Sequence, residues 1–242
     1  MNHNHHYRWI AFDAVGTLIR ATPPAGEIYH RVGRQFGSRL AAEEIARRFG
    51  QALRDSDAGD SERVDATARL VTSESREKQR WQEIVAAVID DVTDTAACFA
   101  ELFEHFARSG SWSCFDEVPV ALAELQAKGF RLAIASNFDS RLHAVCDGLA
   151  ALREIDLRII SSEVGCRKPG RAFFEALVAR TGCKSSEVLM VGDDAANDIA
   201  GARKAGLGAI LINRRGSAAA GEIGNLVELL DLLERSGGAD AE

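Results

Sequence analysis

Asp13, Ser136, Lys168 and the group Asp193, Asp194 and Asp198 are side chains of types that suit chemistry on a charged ligand. Asp13 closes the apolar run Trp9-Ile10-Ala11-Phe12 and opens Asp13-Ala14-Val15-Gly16-Thr17-Leu18. Ser136-Asn137 follows a second apolar run. Gly192-Asp193-Asp194-Ala195-Ala196-Asn197-Asp198 follows another, and Lys168 stands just before Pro169. A carboxylate can act as the nucleophile of a two-step hydrolysis. One or two carboxylates suit a hard cation such as Mg2+. Taken singly, each residue also has a plainer use. An Asp after a strand often caps a turn or helix. A lone Ser or Lys carries almost no signal, and acids suit the start of a helix, where the dipole favours them. Their shared address is what distinguishes them. In open α/β sheets ligands bind at the carboxyl ends of strands, and these residues follow strand-like runs.

Those runs are 9–12, 132–135, 159–160, 188–191 and 209–212. Each is short, apolar and bounded by polar or turn residues, as strands buried on both faces are. Between them, apolar residues recur at helical spacing. Val118, Leu122 and Leu125 lead to Gly129; Phe173, Phe174, Leu177 and Val178 lead to Gly182; Ile199, Ala202 and Ala205 lead to Gly206. Glycine commonly ends a helix there. Ile223, Leu226, Leu230 and Leu233 predict a last amphipathic helix, with a polar tail from Ser236. Strands alternating with helices predict an α/β domain with a parallel sheet. The stretch from about Ala21 to Trp112 breaks the rhythm and reads as helices alone. Ile28, Val32, Phe36 and Leu40 repeat every four residues, Trp81, Ile84, Val85, Val88 and Ile89 share one face, and so do Phe99, Leu102, Phe103 and Phe106. Asp55 to Asp65 reads as a polar loop. A helical insert therefore sits inside the α/β domain, after its first strand.

The chain has 242 residues, with 29 Lys and Arg against 36 Asp and Glu, a net charge of −7. With 46% hydrophobic and 27% charged residues, it is neither disordered nor collagen-like. The acidic balance argues against wrapping nucleic acid, which needs a basic face. The five cysteines, Cys98, Cys114, Cys146, Cys166 and Cys183, are odd in number and form no C-x-x-C, against a disulfide framework or zinc ribbon. No stretch approaches the ~18 continuous apolar residues of a membrane span. Residues 1–7 are polar and His-rich, unlike the apolar centre of a secretory signal. His3, His5 and His6 fit a frayed terminus better than a metal site. Together these features predict a protein of the reducing cytoplasm that engages neither membrane nor nucleic acid.

The order of the polar residues resembles the haloacid dehalogenase (HAD) superfamily of hydrolases. Its four motifs supply an Asp nucleophile, a Ser or Thr, a Lys, and one or more acids. They match Asp13, Ser136, Lys168, and Asp193 with Asp198. The likeness spans residues 7–216, and the helical insert falls where one HAD subclass carries its cap, between the first two motifs. The resemblance implies a Rossmann-like HAD core over 1–20 and 113–242, with a helical-bundle cap over 21–112. It implies hydrolysis of a small phosphorylated substrate with Mg2+ as cofactor. On this reading Asp13 attacks phosphorus, and water cleaves the resulting aspartyl-phosphate. Asp13, Asp193 and the backbone carbonyl of Val15 hold the metal, and Asp198 orients metal-bound water from behind. Lys168 holds Asp13 and offsets negative charge. Ser136 and backbone N–H groups near Val15 and Gly16 bond phosphoryl oxygens. Asn137 and Asp139 shape the site, Gly16 permits the tight turn, and Thr17 bonds within that turn.

The first motif departs from the family pattern. HAD phosphatases usually read D-x-D, and the second Asp protonates the leaving group. Here that position is Val15, which transfers no proton, although general acid help is typically worth ~10²–10⁴-fold. Three readings stand: a leaving group that needs little protonation, a cap residue such as Glu27, His30 or Arg31 in the acid's place, or a weak catalyst that binds ligands or partners. The 2-haloacid dehalogenases carry a D-A-Y-G-T-like motif that D-A-V-G-T resembles. They share Ser-Asn at the second motif and attack carbon without metal, but their fourth motif is rich in Ser and Asn, not acids. Phosphonate-cleaving relatives need a cap Lys, and the insert holds only Lys78. Cys166 reads as a buried structural thiol, Arg167 as the partner of a surface acid in preference to a substrate, and His143 as an ordinary helix residue.

Overall fold

The computed structural model describes residues 6–58, 70–155, 157–214, 216, 219 and 221–237. Its strands are β1 (Trp9–Phe12), β2 (Ile19–Ala21), β3 (Trp112–Cys114), β4 (Arg131–Ser136), β5 (Leu157–Ile160), β6 (Val188–Gly192), β7 (Gly208–Ile212) and β8 (Glu222–Ile223). Six of them form one sheet in the order β5-β4-β1-β6-β7-β8, parallel throughout. The chain runs outward from β1 through β4 to β5, then returns to the other side of β1 and continues outward from β6. The strand order reverses there, and such a reversal opens a crevice at the carboxyl ends of the strands.

Helices follow as α1 (Ala25–Gln35), α2 (Ala42–Ala58), α3 (Glu74–Val88), α4 (Thr95–His105), α5 (Val118–Ala127), α6 (Arg141–Gly148), α7 (Ala150–Arg153), α8 (Ser161–Val164), α9 (Arg171–Thr181), α10 (Gly201–Lys204) and α11 (Leu226–Gly237). Successive side chains of a strand face opposite ways, so β1 feeds two cores. Ile10 and Phe12 pack with residues of α5, α6, α7 and α11. Trp9 and Ala11 pack with Phe173, Phe174 and Leu177 of α9 and Ala202 of α10. Full burial on both faces is why the strand reads as an unbroken apolar run.

Helices α1–α4 bury a third cluster of their own, including Ile28, Tyr29, Ile45, Ile84, Val85 and Leu102. The chain leaves the sheet through β2 and returns through β3, and these two strands pair antiparallel, Ile19 with Cys114 and Ala21 with Trp112. Among the described residues no helix is long and apolar enough to cross a membrane.

Four local expectations change. The repeat from Ile28 to Leu40 is helical only to Gln35, because Gly37 takes φ +91° just beyond. Phe36 and Leu40 still pack on the cluster from the connecting loop. The polar loop expected from Asp55 is helical through Ala58; residues 59–69, with the rest of that loop, lie outside the described residues, as do His3 and His5. Ile223 belongs to β8, not the last helix. The Asn225 side chain accepts from the N–H groups of Val227 at 2.9 Å and Glu228 at 3.2 Å, an N-cap that starts α11 at Leu226. The backbone stays helical through Gly237, past the start of the expected tail.

Candidate active site

The strand ends place the polar residues together. Asp13 follows β1, and its N–H donates to the Val191 carbonyl of β6 at 2.9 Å. Its Oδ1 accepts from Ser136 Oγ, the last residue of β4, at 3.1 Å and from Lys168 Nζ at 2.7 Å. Lys168 spends its other two donors on Asp198 Oδ1 at 2.6 Å and the Ala135 carbonyl at 2.8 Å. Asn137 fixes the lysine backbone on both sides. Its Nδ2 donates to the Lys168 carbonyl at 3.0 Å, and its Oδ1 accepts from the Lys168 N–H at 2.8 Å. Asp13, Ser136, Lys168 and Asp198 are all buried.

The acidic run after β6 divides by role. Asp194 caps a π-helical turn over Ala195–Ala200, accepting from the N–H groups of Ala196 and Asn197 at 2.8 and 2.9 Å. Asp193 and Asp198 turn toward Asp13, and one carboxylate oxygen from each of the three lies within 4.8 Å of the others. Asp198 is held at both oxygens, since Oδ2 accepts the Asp194 N–H at 3.1 Å. Gly16 makes room for Asp193. A Cβ there would lie 2.7 Å from the Asp193 Cγ, and its φ of +93° favours glycine in any case.

One ammonium among three crowded carboxylates sets the charge state. Burial pushes the Asp13 carboxyl up; Lys168 opposes this, and Asp193 adds to it. Burial likewise raises Asp198, to about 6, against the pull of Lys168. Asp193, at the mouth of the cleft, is raised by withdrawal from water and by Asp198. Burial alone would push Lys168 down, but Asp13 and Asp198 outweigh it and hold the ammonium above its usual range. The floor is short of positive charge, which a hard divalent cation would supply.

A model of the haloacid dehalogenase-like hydrolase family matches residues 7–206. The chain belongs to this family. Haloacid dehalogenase-like hydrolase domain-containing protein 3 of Mus musculus is 27% identical over 219 residues, 88% of this chain and 84% of that one. Ribulose-1,5-bisphosphate 5-phosphatase of Halopiger xanaduensis is 37% identical over 110 residues, 42% of this chain and 46% of that one. The solved structure of the Bacillus subtilis HAD-hydrolase YfnB bound to magnesium superposes with a TM-score of 0.74 at 18% identity, covering 94% of this chain and 99% of that one. At that identity the likeness shows the fold.

One expectation for the first motif of this HAD hydrolase narrows and another is overturned. The Gly16 N–H donates to the Ile19 carbonyl at 2.8 Å, so it is not held out for a phosphoryl oxygen. Thr17 makes no bond within the turn: its Oγ1 is buried without a partner. The turn is closed by backbone instead, with Leu18 and Ile19 N–H both donating to the Ala14 carbonyl at 2.8 and 2.9 Å. The Thr17 carbonyl accepts from Arg214 at 2.7 Å.

Above the floor lies a cavity of about 360 Å³, within the usual range for small-molecule sites. Val15, 40% exposed, lines it. So do Tyr29, Phe49, Trp81, Phe103, Phe106 and Trp112. Glu27, His30 and Arg31 lie outside its wall.

Helix α3 is fastened to the sheet side of the cavity. Glu74 accepts from the Ser140 N–H at 3.0 Å, from Ser140 Oγ at 2.7 Å and from Ser162 Oγ. Glu77, buried in α3, pairs with Arg167 at 3.4 Å, so the partner of Arg167 is a buried acid rather than a surface one. Asp139 is engaged by Arg141 at 2.7 Å on each oxygen, and Arg141 also donates to the Phe103 carbonyl at 2.9 Å. His143 meets Glu163 at 2.7 Å. Cys166 is half-buried, and burial raises its thiol. Neither the ring-lined roof nor the two glutamates of α3 stood out as functional in the sequence. The rings repeat as core residues do, and the glutamates look like solvent-facing helix acids.

Proposed function

We propose that this HAD-family hydrolase cleaves a small phosphate monoester with Mg2+ as cofactor, through an aspartyl-phosphate on Asp13. The observation that carries the reading is the meeting of Asp13, Asp193 and Asp198 within 4.8 Å around the ammonium of Lys168. Such a donor set fits Mg2+, which takes one or two carboxylates and keeps positions for water and phosphate. Asp13, Asp193 and the Val15 carbonyl would hold the ion, which would neutralise charge on the phosphoryl group. Asp198 has both oxygens engaged, which suits it to positioning rather than direct ligation.

An Asp13 oxygen attacks phosphorus while Lys168 keeps the carboxylate ionised and aimed. Ser136 Oγ, now on Asp13, can turn to a phosphoryl oxygen. The bond from phosphorus to the leaving oxygen breaks, and its electron pair departs with that oxygen. Water then attacks phosphorus, releasing inorganic phosphate and restoring Asp13. In this proposal the core comprises 1–20 and 113–242 and the cap 21–112, which roofs the site. The setting is the cytoplasm, consistent with five free cysteines. Attack on carbon without metal, as in a 2-haloacid dehalogenase, fits less well, because it leaves three crowded carboxylates to a single ammonium.

The test is phosphate release from sugar, nucleotide, acyl and aryl phosphates with and without Mg2+. Turnover that requires Mg2+ and stops with EDTA is expected. Failure on every ester, or chloride release from 2-chloropropionate without Mg2+, would overturn the proposal. A second prediction concerns Val15→Asp. A carboxyl at this exposed position should raise turnover of alkyl phosphates by about 10²-fold. An unchanged rate would mean that another group already protonates the leaving oxygen.

A further inference from the structure

We propose that the substrate is an aryl phosphate: a monoester with a phenol-type leaving oxygen and a flat, apolar ring as its body. This rests on the phosphate-ester reading above and narrows it. Two independent observations meet here, one chemical and one of shape.

The chemical observation is that no suitable acid stands beside the leaving oxygen: the Tyr29 hydroxyl lines the wall, but it is buried, and burial pushes its pKa up and makes it a poor donor. Val15 stands where the family's acid would be, and it faces the cavity. Among the described residues, the wall supplied by 21–112 contains neither a carboxyl nor a histidine. The carboxylates in the wall all belong to the floor. Of these, Asp194 is occupied as a helix cap and Asp198 is bonded at both oxygens. An alkyl ester would have to expel an oxygen whose conjugate acid has a pKa near that of water, about 15.7. A phenol, like the tyrosine side chain, has a pKa of about 10. A phenolate can therefore depart with its electron pair and take its proton from solvent afterwards.

The shape observation is the roof. Tyr29 and Phe49 stand 4.8 Å apart with their rings tilted by 57°. Phe106 lies 5.8 Å from Trp112, and Trp81 and Phe103 join them in a wall whose polar members above the floor include Arg80, Arg141 and Arg167. A sugar or nucleoside would set hydroxyl groups against these rings and lose hydrogen bonds to water. An aromatic body packs edge-on or offset against them at favourable cost. The atoms balance without a further reactant. Asp13 forms a bond to phosphorus as the aryl oxygen leaves, water cleaves the aspartyl-phosphate, and ester plus water give phenol plus inorganic phosphate.

The experiment compares kcat and KM of the full chain with Mg2+ on phenyl phosphate, benzyl phosphate and glycerol phosphate. Phenyl phosphate should exceed glycerol phosphate in kcat/KM by about 10³-fold. Benzyl phosphate keeps the ring but must expel an alkoxide, so it should match phenyl phosphate in KM and fall about 10²-fold in kcat. Trp81→Ala and Phe49→Ala, two separate positions on the wall, should each raise the KM for phenyl phosphate about 10-fold. The KM for glycerol phosphate, which offers no ring to the wall, should move less. If glycerol phosphate is turned over as well as phenyl phosphate, or if neither variant shifts KM while melting like the parent, the aryl inference is overturned and the hydrolase reading stands. If no ester is hydrolysed, the reading beneath it falls too.

Discussion

Asp13→Asn should lower phosphate-ester turnover by at least about 10⁴-fold and leave the protein folded. A neutral amide is no nucleophile, and loss of a nucleophile alone removes most of what an assembled site contributes. The fold should not suffer, because the ionised carboxylate is not a stabilising group here. Asp13 is buried, and burial raises its pKa despite Lys168. The folded state thus binds a proton more readily than the unfolded chain at this position. Stability from Asp13 is greatest at acid pH and declines as pH rises from the ordinary carboxylate value through the folded one. The amide does not titrate. At pH 7 without metal, the variant should therefore melt at or above the wild-type temperature, with the gap closing on acidification. Lys168 keeps its bonds to Asp198 and the Ala135 carbonyl. Phosphate release and thermal melting on one preparation check both halves. Full activity in the variant would remove Asp13 from the mechanism.

How far the site could be read from the sequence depends on how local each feature is. Asp13, Ser136 and Asp193 were legible because a buried parallel strand is an unbroken apolar run and its carboxyl end is fixed by where the run stops. Lys168 was legible through family order, and its three bonds span β1, β4 and the turn after β6. The use of the Gly16 N–H was not legible. A backbone donor looks the same whether it closes a turn or awaits a ligand. The β2–β3 pair was missed because three-residue strands are too short to show a period, and their partners lie far apart in the chain. The roof was hidden by its own composition. Tyr29 belongs to the buried cluster of α1–α4 and also lines the cavity, and a ring at helical spacing looks the same in either role. Glu77 was invisible for the opposite reason: a helix acid followed by Arg80 looks solvated, yet it is buried against Arg167.

Lys168→Met should cost both stability and catalysis, and the two losses should part with pH. Lys168 is 3% exposed, and its ammonium joins two buried carboxylates that otherwise face each other. Breaking such a cluster from one side leaves uncompensated buried charge, at about 3–5 kcal/mol. In a protein of this size that lowers the melting temperature by about 10 °C. The sign with pH follows from the carboxylates left behind. Asp13 and Asp198 already stand above their ordinary values, and losing the cation pushes both higher. The variant's folded state then binds more protons than its unfolded state, so its stability falls as pH rises. The deficit against wild type should be widest near pH 7 and narrow on acidification, as the raised carboxyls take up protons. Melting curves in EDTA from pH 4 to 8 read this directly. A deficit that does not change with pH would mean that methionine disturbs packing and that the ammonium is not what balances the site. The double variant with Asp13→Asn isolates the pair. With one of the two anions gone, Lys168→Met should cost measurably less than it does alone, since residues in one ion-pair network are not additive. Catalysis should not recover in that double variant, because the nucleophile and the charge that aims it are both absent.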